Sequence, residues 1–333
     1  MDPILLVASF AVILAGALLF TNGIEWVGHR LAVGEGAVGS LLAAVGTALP
    51  ETLIAIVALV GATKSEDVAI GAIVGAPFLL ATLAMGLVGL TAYLYRRRRS
   101  QGTELTAHVP TLDRDLAFFM VFFGLGLALG FGAPPELRIG GGIVFFLAYV
   151  VYVQRTLSRG GEVQSEESLN PLIMARSEVS ESDPEDPATS TSVIQALIGL
   201  AAMVGGAHLF VESLLHVAED FGLEAIVLSL ILAPLATELP EKVNSFFWVR
   251  EGKDSLALGN ITGAMVFQST IPVGIGLIFT DWELSGNASI SVALGLAGGL
   301  LAYWALRLRD RFELPAVLAW LALYGAFIVV VAV

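Results

Sequence analysis

The sequence has no cysteine, which excludes disulfide bridges and thiolate metal sites. It is also poor in charge. Asp, Glu, Lys and Arg make up 14% of its 333 residues, against about 25% in a soluble domain. Lysine occurs only as Lys64, Lys242 and Lys253. The four histidines, His29, His108, His208 and His216, share no ligand spacing and are read as interfacial or packing residues. No apolar run carries H-E-x-x-H or a paired-aspartate motif, so an intramembrane enzyme has no chemistry to stand on. Residues 1–20 begin acidic rather than basic. A cleavable signal would begin basic, so this stretch is expected to be the first membrane helix.

What the chain does have is apolar length. It is 56% hydrophobic, with a mean hydropathy of +0.83. A membrane-crossing helix needs about 20 apolar residues. Ten segments qualify: 4–28, 37–62, 67–95, 115–132, 139–157, 193–217, 223–249, 255–280, 288–307 and 314–332. The fold class expected is an all-α polytopic membrane protein of ten transmembrane helices. Much of the net charge of −13 lies in one stretch, from Glu162 to Pro187, where eight acids face a lone Arg176. Such a stretch has little to bury and reads as a solvated linker. The expected organisation is a five-helix unit over 1–157, a cytoplasmic linker over 158–192 and a second five-helix unit over 193–333.

Arginine and lysine set the orientation. With the N-terminus outside, the inward loops hold Arg30, Arg96 to Arg99, Arg114, Arg155, Arg159, Arg176, Arg250, Lys253, Arg307, Arg309 and Arg311. The outward loops hold only Lys64 and Arg138. Both termini are therefore expected outside a prokaryotic cell membrane. The Arg96–Arg99 run reads as a topology anchor rather than a nucleic-acid site.

Five spans per half would send two similar halves through the membrane in opposite directions, the inverted-repeat pattern of many transporters. The chain is self-similar in that way. Shifted by 190 positions, Gly16-Ala17 falls on Gly206-Ala207, and Thr47, Leu49, Pro50 and Glu51 fall on Thr237, Leu239, Pro240 and Glu241. A second block, Gly71 to Gly75, falls on Gly259 to Gly263 at a shift of 188.

The shared T-x-L-P-E carries the chemistry. A carboxylate near the bilayer centre costs roughly 2.5–3.5 kcal/mol on insertion scales, and a bound cation or proton removes that cost. Pro50 and Pro240 have no amide hydrogen and free the carbonyls of Gly46 and Ala236. Thr47 shares a helix face with Glu51, as Thr237 does with Glu241, and Asn244 and Ser245 follow one turn on. Carboxylate, hydroxyl, amide and carbonyl oxygens suit a hard cation such as Ca²⁺. Glu238 and Lys242 are spaced i,i+4 in the order that favours an ion pair.

At these residues the chain resembles the cation/Ca²⁺ exchanger superfamily, whose two inverted repeats each carry a G-T-S-L-P-E-like and then a G-N-x-x-G-S-N-like stretch. The resemblance implies an ion site enclosed by the second, third, seventh and eighth spans. It implies Glu51 and Glu241 as the central Ca²⁺ ligands, and Thr47 and Thr237 as contributors through backbone oxygens. The family's later polar positions match Asn260 and Gln268 in the second half, but Ala72 and Leu80 in the first. Its serine becomes Ala48 in one repeat and Glu238 in the other, and its serine-asparagine pair becomes Ala76-Pro77 and Ala264-Met265. The first and sixth spans are expected to slide as a gate on Gly16, Gly23, Gly205 and Gly206. Glu25 and Glu212 in those spans are read as entrance ligands or interfacial acids.

The function expected is antiport of Ca²⁺, or a related divalent cation, against Na⁺ or H⁺, with no resident cofactor. The lost oxygens favour H⁺, or few Na⁺, as the coupling ion. A passive channel and an inactive relative on the same scaffold are the alternatives.

Overall fold

The computed structural model describes residues 2–30, 38–104, 109–158, 171–175, 188–284 and 286–332. Residues 2, 28–30, 38–48, 109–110, 157–158, 239–244, 308 and 332 are described by backbone alone. Each apolar segment delimited above falls on helix: α1 (Asp2–Arg30), α2 (Val38–Val60), α3 (Glu66–Leu79) with α4 (Met85–Tyr95), α5 (Val109–Leu129) and α6 (Pro135–Ser158) in the first half. The second half follows with α7 (Thr189–Phe221), α8 (Ala225–Glu251), α9 (Asp254–Gln268) with α10 (Ile271–Phe279), α11 (Gly286–Leu308) and α12 (Leu314–Ala332). The acidic stretch 162–187 lies outside the described residues, apart from 171–175, where Ile173–Ala175 form a short turn. Among the described residues no strand forms, and one isolated bridge pairs Glu104 with Arg311.

Among the described residues, seven helical stretches have the length and hydropathy to cross a membrane, and α2 and α8 contribute shorter apolar runs, Leu49–Val60 and Ala225–Glu238. Helix is what such runs must form, because hydrocarbon offers no partner to an open backbone. Local signals set the ends. The Ser65 hydroxyl accepts from the Val68 amide at 3.2 Å and caps α3. Gly222 (φ +65°) and Gly252 (φ +81°) close α7 and α8 in the left-handed conformation that glycine adopts without penalty.

Two of the ten segments are interrupted. The third contains a π-helical turn, Leu80–Ala84, between α3 and α4. The eighth breaks at Ser269 and Thr270, between α9 and α10. Both breaks free backbone carbonyls, and in both a threonine answers one. Thr82 donates to the Phe78 carbonyl at 2.6 Å, and Thr270 donates to the Val266 carbonyl at 2.7 Å. The two threonines correspond under the 188-residue shift that pairs Gly71 with Gly259.

Small residues set the closest packing. α1 and α7 lie side by side and antiparallel. A Cβ added to Gly16 would fall 2.8 Å from the Gly199 carbonyl oxygen, Gly23 meets Ser192 and Ala196, and Gly206 meets Ile13. α3 crosses α8 where Gly75 lies against the Leu230 carbonyl. The α3–α4 stretch is almost wholly buried, whereas α6 is mostly exposed. The buried centre is the quartet α2, α3, α8 and α9, each of which contacts the other three.

The loops sort to two ends. At one, Arg99 and Asp254 form a buried ion pair at 2.8 Å, the Phe312 amide donates to the Thr103 carbonyl at 3.0 Å, and Arg307 pairs with Asp113. At the other, Arg138 reaches Asp281 at 3.3 Å, and Asn287 donates to Glu224 at 3.2 Å.

Candidate cation site in the central quartet

The site builds from the two helices that carry proline. Pro50 sits inside α2 and is buried, and Glu51 beside it is only 3% exposed. α2 continues through the proline, so the carboxylate is held at mid-helix within the quartet rather than at a terminus. Pro240 sits in the same way inside α8. Thr237 and Glu238, one turn or less before it, are each 1% exposed. Two acids, Glu51 and Glu238, are thus buried in apolar helices. Each must be offset by a cation, a proton or hydrogen-bond donors.

α9 supplies one donor. The Gln268 side-chain nitrogen donates to Oε1 of Glu238 across the α8–α9 contact. Gln268 is fully buried, and its Oε1 has no hydrogen-bond partner among the described residues. A buried amide oxygen left open in this way is a vacant acceptor beside a carboxylate, and oxygens of both kinds are among the ligands that a hard cation takes. Two turns along the same contact, Asn260 donates to the Ser245 hydroxyl at 3.1 Å. The Thr237 hydroxyl donates to the Ala233 carbonyl at 2.9 Å. Its proton is committed to the helix, and its lone pairs stay available.

The structure therefore brings together Glu238 with Gln268, and Asn260 with Ser245. It places Glu51 on a helix packed against both α8 and α9. The side chains of Thr47, Glu241, Lys242 and Asn244 lie outside the described residues, so the expected Glu238–Lys242 pair does too. Among the described residues, no three of His, Cys, Asp and Glu converge on one point. Acid is sparse here, and amide and hydroxyl oxygens supply the rest of the polar lining. In the first half, Ala72, Ala76 and Leu80 are buried apolar residues, so α3 offers the site no side-chain oxygen at those positions.

One expectation for the gate helices needs correction. Gly205 faces open space and takes no part in the α1–α7 contact. Gly199 does, its absent Cβ lying 2.5 Å from the Phe20 amide. The sequence signal for it is the seven-residue spacing to Gly206, two helical turns along one face. Glu212 is exposed on α7.

A buried polar hub escaped sequence reading. Asp115 of α5 is 2% exposed. It accepts from Tyr152 of α6 at 2.8 Å, from Thr262 of α9 at 3.1 Å and from Arg114 at 2.9 Å. It ties the helix that carries Asn260 and Gln268 to the outer pair α5 and α6. The only signal in the sequence is an Arg-Asp step at the start of an apolar run.

Comparison with known proteins follows the same lines. The family model for the sodium/calcium exchanger protein matches residues 1–157 and 191–333. CaxA of Alkalimonas amylolytica, a candidate antiporter, is 24% identical over 311 residues, covering 92% of this chain and 91% of its own. The sodium/calcium exchanger MaX1 of Methanosarcina acetivorans is 23% identical over 329 residues, covering 88% of this chain and 90% of its own. The crystal structure of the H⁺/Ca²⁺ exchanger CAX superposes with a TM-score of 0.73 at 20% identity, over 98% of this chain and 81% of that one. With the apolar helices, the buried acids beside helical prolines and this match over both halves of the chain, the protein is an integral membrane member of the sodium/calcium exchanger family.

Proposed function

We propose that the chain is a secondary antiporter that moves Ca²⁺, or a related divalent cation, against H⁺ or a small number of Na⁺ by alternating access. The observation that carries this reading is the pairing of buried acids with open oxygens inside the quartet. Glu51 is buried on α2, and Glu238 with the vacant Gln268 oxygen is buried on α8 and α9, the two helices against which α2 packs. In this reading Glu51 and Glu241 are the central ligands. Thr47, Thr237, Glu238, Asn244, Asn260 and Gln268 complete the oxygen set. Ca²⁺ and the coupling cation use the same acids in turn, which is what couples them. The relatives named for sodium/calcium and proton/calcium exchange set the ions to be tested. The apolar residues at Ala72, Ala76 and Leu80 leave few oxygens for several Na⁺ at once, so the proton gains.

The ten helical segments are read as ten spans in two inverted five-helix repeats. Support comes from the matching breaks with Thr82 and Thr270, and from the antiparallel contact of α1 with α7. The pair α1–α7 is read as the gate, and the arginine-rich end as cytoplasmic, with both termini outside.

The test is ⁴⁵Ca²⁺ uptake into proteoliposomes under separate Na⁺ and H⁺ gradients. Uptake is expected only with an imposed gradient, and Glu51→Gln and Glu241→Gln are each expected to reduce it to background. Equal uptake without a gradient identifies a channel. Three or more Na⁺ moved per Ca²⁺ overturns the proton-or-few-sodium reading.

A further inference from the structure

A cleft between α5 and α6 opens on the outer surface of the bundle and is lined by Arg114, Phe118, Val151, Tyr152 and Arg155. Beyond the cleft, Phe122 of α5 and Phe145 of α6 meet edge to face with ring centres 5.0 Å apart. Two exposed apolar stripes lead away from the cleft along the two helices. On α5, Val121 and Leu125 follow Phe118 at helical spacing and are exposed. On α6, Val151, Leu147 and Val144 precede Arg155 on one face and are exposed. Because the helices are antiparallel neighbours, both stripes start at the arginines and run the same way, toward the opposite end of the bundle.

The arginines lie at the end of the bundle where Arg99, Arg307 and Arg311 gather; Arg307 pairs with Asp113, next to Arg114. An arginine that served only to anchor a helix would extend its head into water. Arg114 does not. Asp115 accepts from both its Nε and its Nη2, at 3.1 and 2.9 Å, and its guanidinium lies 4.8 Å from the Tyr152 ring centre. The side chain stays 25% exposed while its partner Asp115 is nearly closed off, at 3%. The guanidinium is thereby fixed at the mouth of the groove. Arg155, one turn beyond Val151, is exposed on the same side. With Asp115 counted, the cleft keeps a net positive charge.

We infer that this groove is a binding site for an anionic phospholipid, with the headgroup phosphate between Arg114 and Arg155 and the acyl chains along the stripes of α5 and α6. Basic pockets between membrane helices take such headgroups through charge and hydrogen bonding; with Nε and Nη2 of Arg114 held by Asp115, its Nη1 and the exposed Arg155 are the donors that meet the phosphate. A free phosphate would meet the same two arginines but gain nothing from the stripes. The occupied seat adjoins the Asp115 hub, and through Thr262 it adjoins α9. The inference does not depend on the transport reading, because binding is measured without transport.

The experiment uses the full chain, purified, delipidated and held in a neutral detergent. Phosphatidylglycerol, phosphatidylcholine and inorganic phosphate are titrated separately. Binding is read by native mass spectrometry and by the shift in unfolding temperature. Phosphatidylglycerol is expected to bind and raise the unfolding temperature, while phosphatidylcholine and phosphate do neither. Arg155→Glu is expected to weaken phosphatidylglycerol binding at least fivefold, and Arg155→Lys by less. Arg97→Glu, an exposed arginine at the same end but outside the cleft, is expected to change it less than twofold. Arg155→Gln carries the same prediction as Arg155→Glu if the acidic variant does not fold. Equal loss in Arg97→Glu, unchanged binding in Arg155→Glu, or protection by phosphate equal to that by phosphatidylglycerol overturns the inference.

Discussion

Gln268 is placed to decide how Glu238 is used. Its nitrogen donates to the Glu238 carboxylate, and its oxygen is buried and open. One side chain therefore both holds the acid and offers a ligand. Gln268→Leu removes both. A hydrogen bond to a charged group contributes about 1.5–3 kcal/mol, which is roughly a ten- to hundredfold change in affinity. The expected outcome is a rise of that size in the Ca²⁺ concentration for half-maximal uptake. Unchanged concentration dependence would put the pair outside the ion's path. The sequence named both residues, but separately, Glu238 as a departure from a motif and Gln268 as a match to it, and offered Lys242 as the partner of Glu238. The pairing with Gln268 depends on the axial register of α8 against α9, which is set by packing between helices and leaves no periodic mark in either one. The same holds for Asn260 with Ser245, and for the three helices that meet on Asp115.

Helices were legible because apolar length forces them. Segment ends fall within a few residues of the observed ones, and glycine or serine punctuation sets several of them. The interruptions were not legible. Residues 80–84 contain neither proline nor glycine, so nothing local announces the π-turn that follows Pro77. Close helix contact was only half legible. Glycine marks where two backbones can meet, yet most helices here hold two or more, and only packing selects which glycine is used. Gly199 and Gly205 show the difference on one helix. A Cβ at position 199 meets backbone atoms of Phe20 and Gly16 at 2.5 and 2.6 Å, where nothing can yield by rotating. Overpacking of this kind costs about 1–3 kcal/mol. A Cβ at position 205 meets nothing within 4 Å, and alanine there recovers about 0.5–1 kcal/mol of helix propensity. Unfolding in detergent should therefore show Gly199→Ala less stable than the parent and Gly205→Ala as stable or more so. If α1 and α7 slide as one unit, Gly199→Ala should also slow uptake, whereas Gly205→Ala should not.

At the scale of the molecule, the two halves are joined where their charges are. The arginine tally sorted the loops into two sets, and the contacts place those sets at opposite ends of the bundle. Arg99 comes from the loop after α4, and Asp254 opens α9, so their ion pair fastens the first half to the second at the arginine-rich end. Both side chains are fully buried, and both guanidinium Nη atoms bond the carboxylate at 2.8 Å. Arg99 also donates to the carbonyls of Gly102, Glu104 and Val249, so every nitrogen of the fork is used. The sequence showed only a run of four arginines beside a helix end, which reads as topology; that one of the four turns inward could not be read from it. Breaking a buried pair costs more than the pair itself contributes, because the survivor keeps its charge without compensation. Asp254→Asn is expected to destabilise the protein by about 3–5 kcal/mol in detergent unfolding. Replacing both residues by apolar ones, Arg99→Met with Asp254→Leu, removes that uncompensated charge and should be less harmful than Asp254→Asn alone. It should still fall short of the parent, because the Val249 carbonyl, the one of the three in a fully buried bond, loses its donor at a cost of about 1–3 kcal/mol, while the partly buried carbonyls of Gly102 and Glu104 can turn to water. If instead the double replacement matches the parent, the carbonyls find other donors and apolar packing replaces the pair. If Asp254→Asn unfolds no more easily than the parent, the Arg99–Asp254 pair is not what fastens the halves, and the other ties of that loop, such as Thr103 with Phe312, are enough.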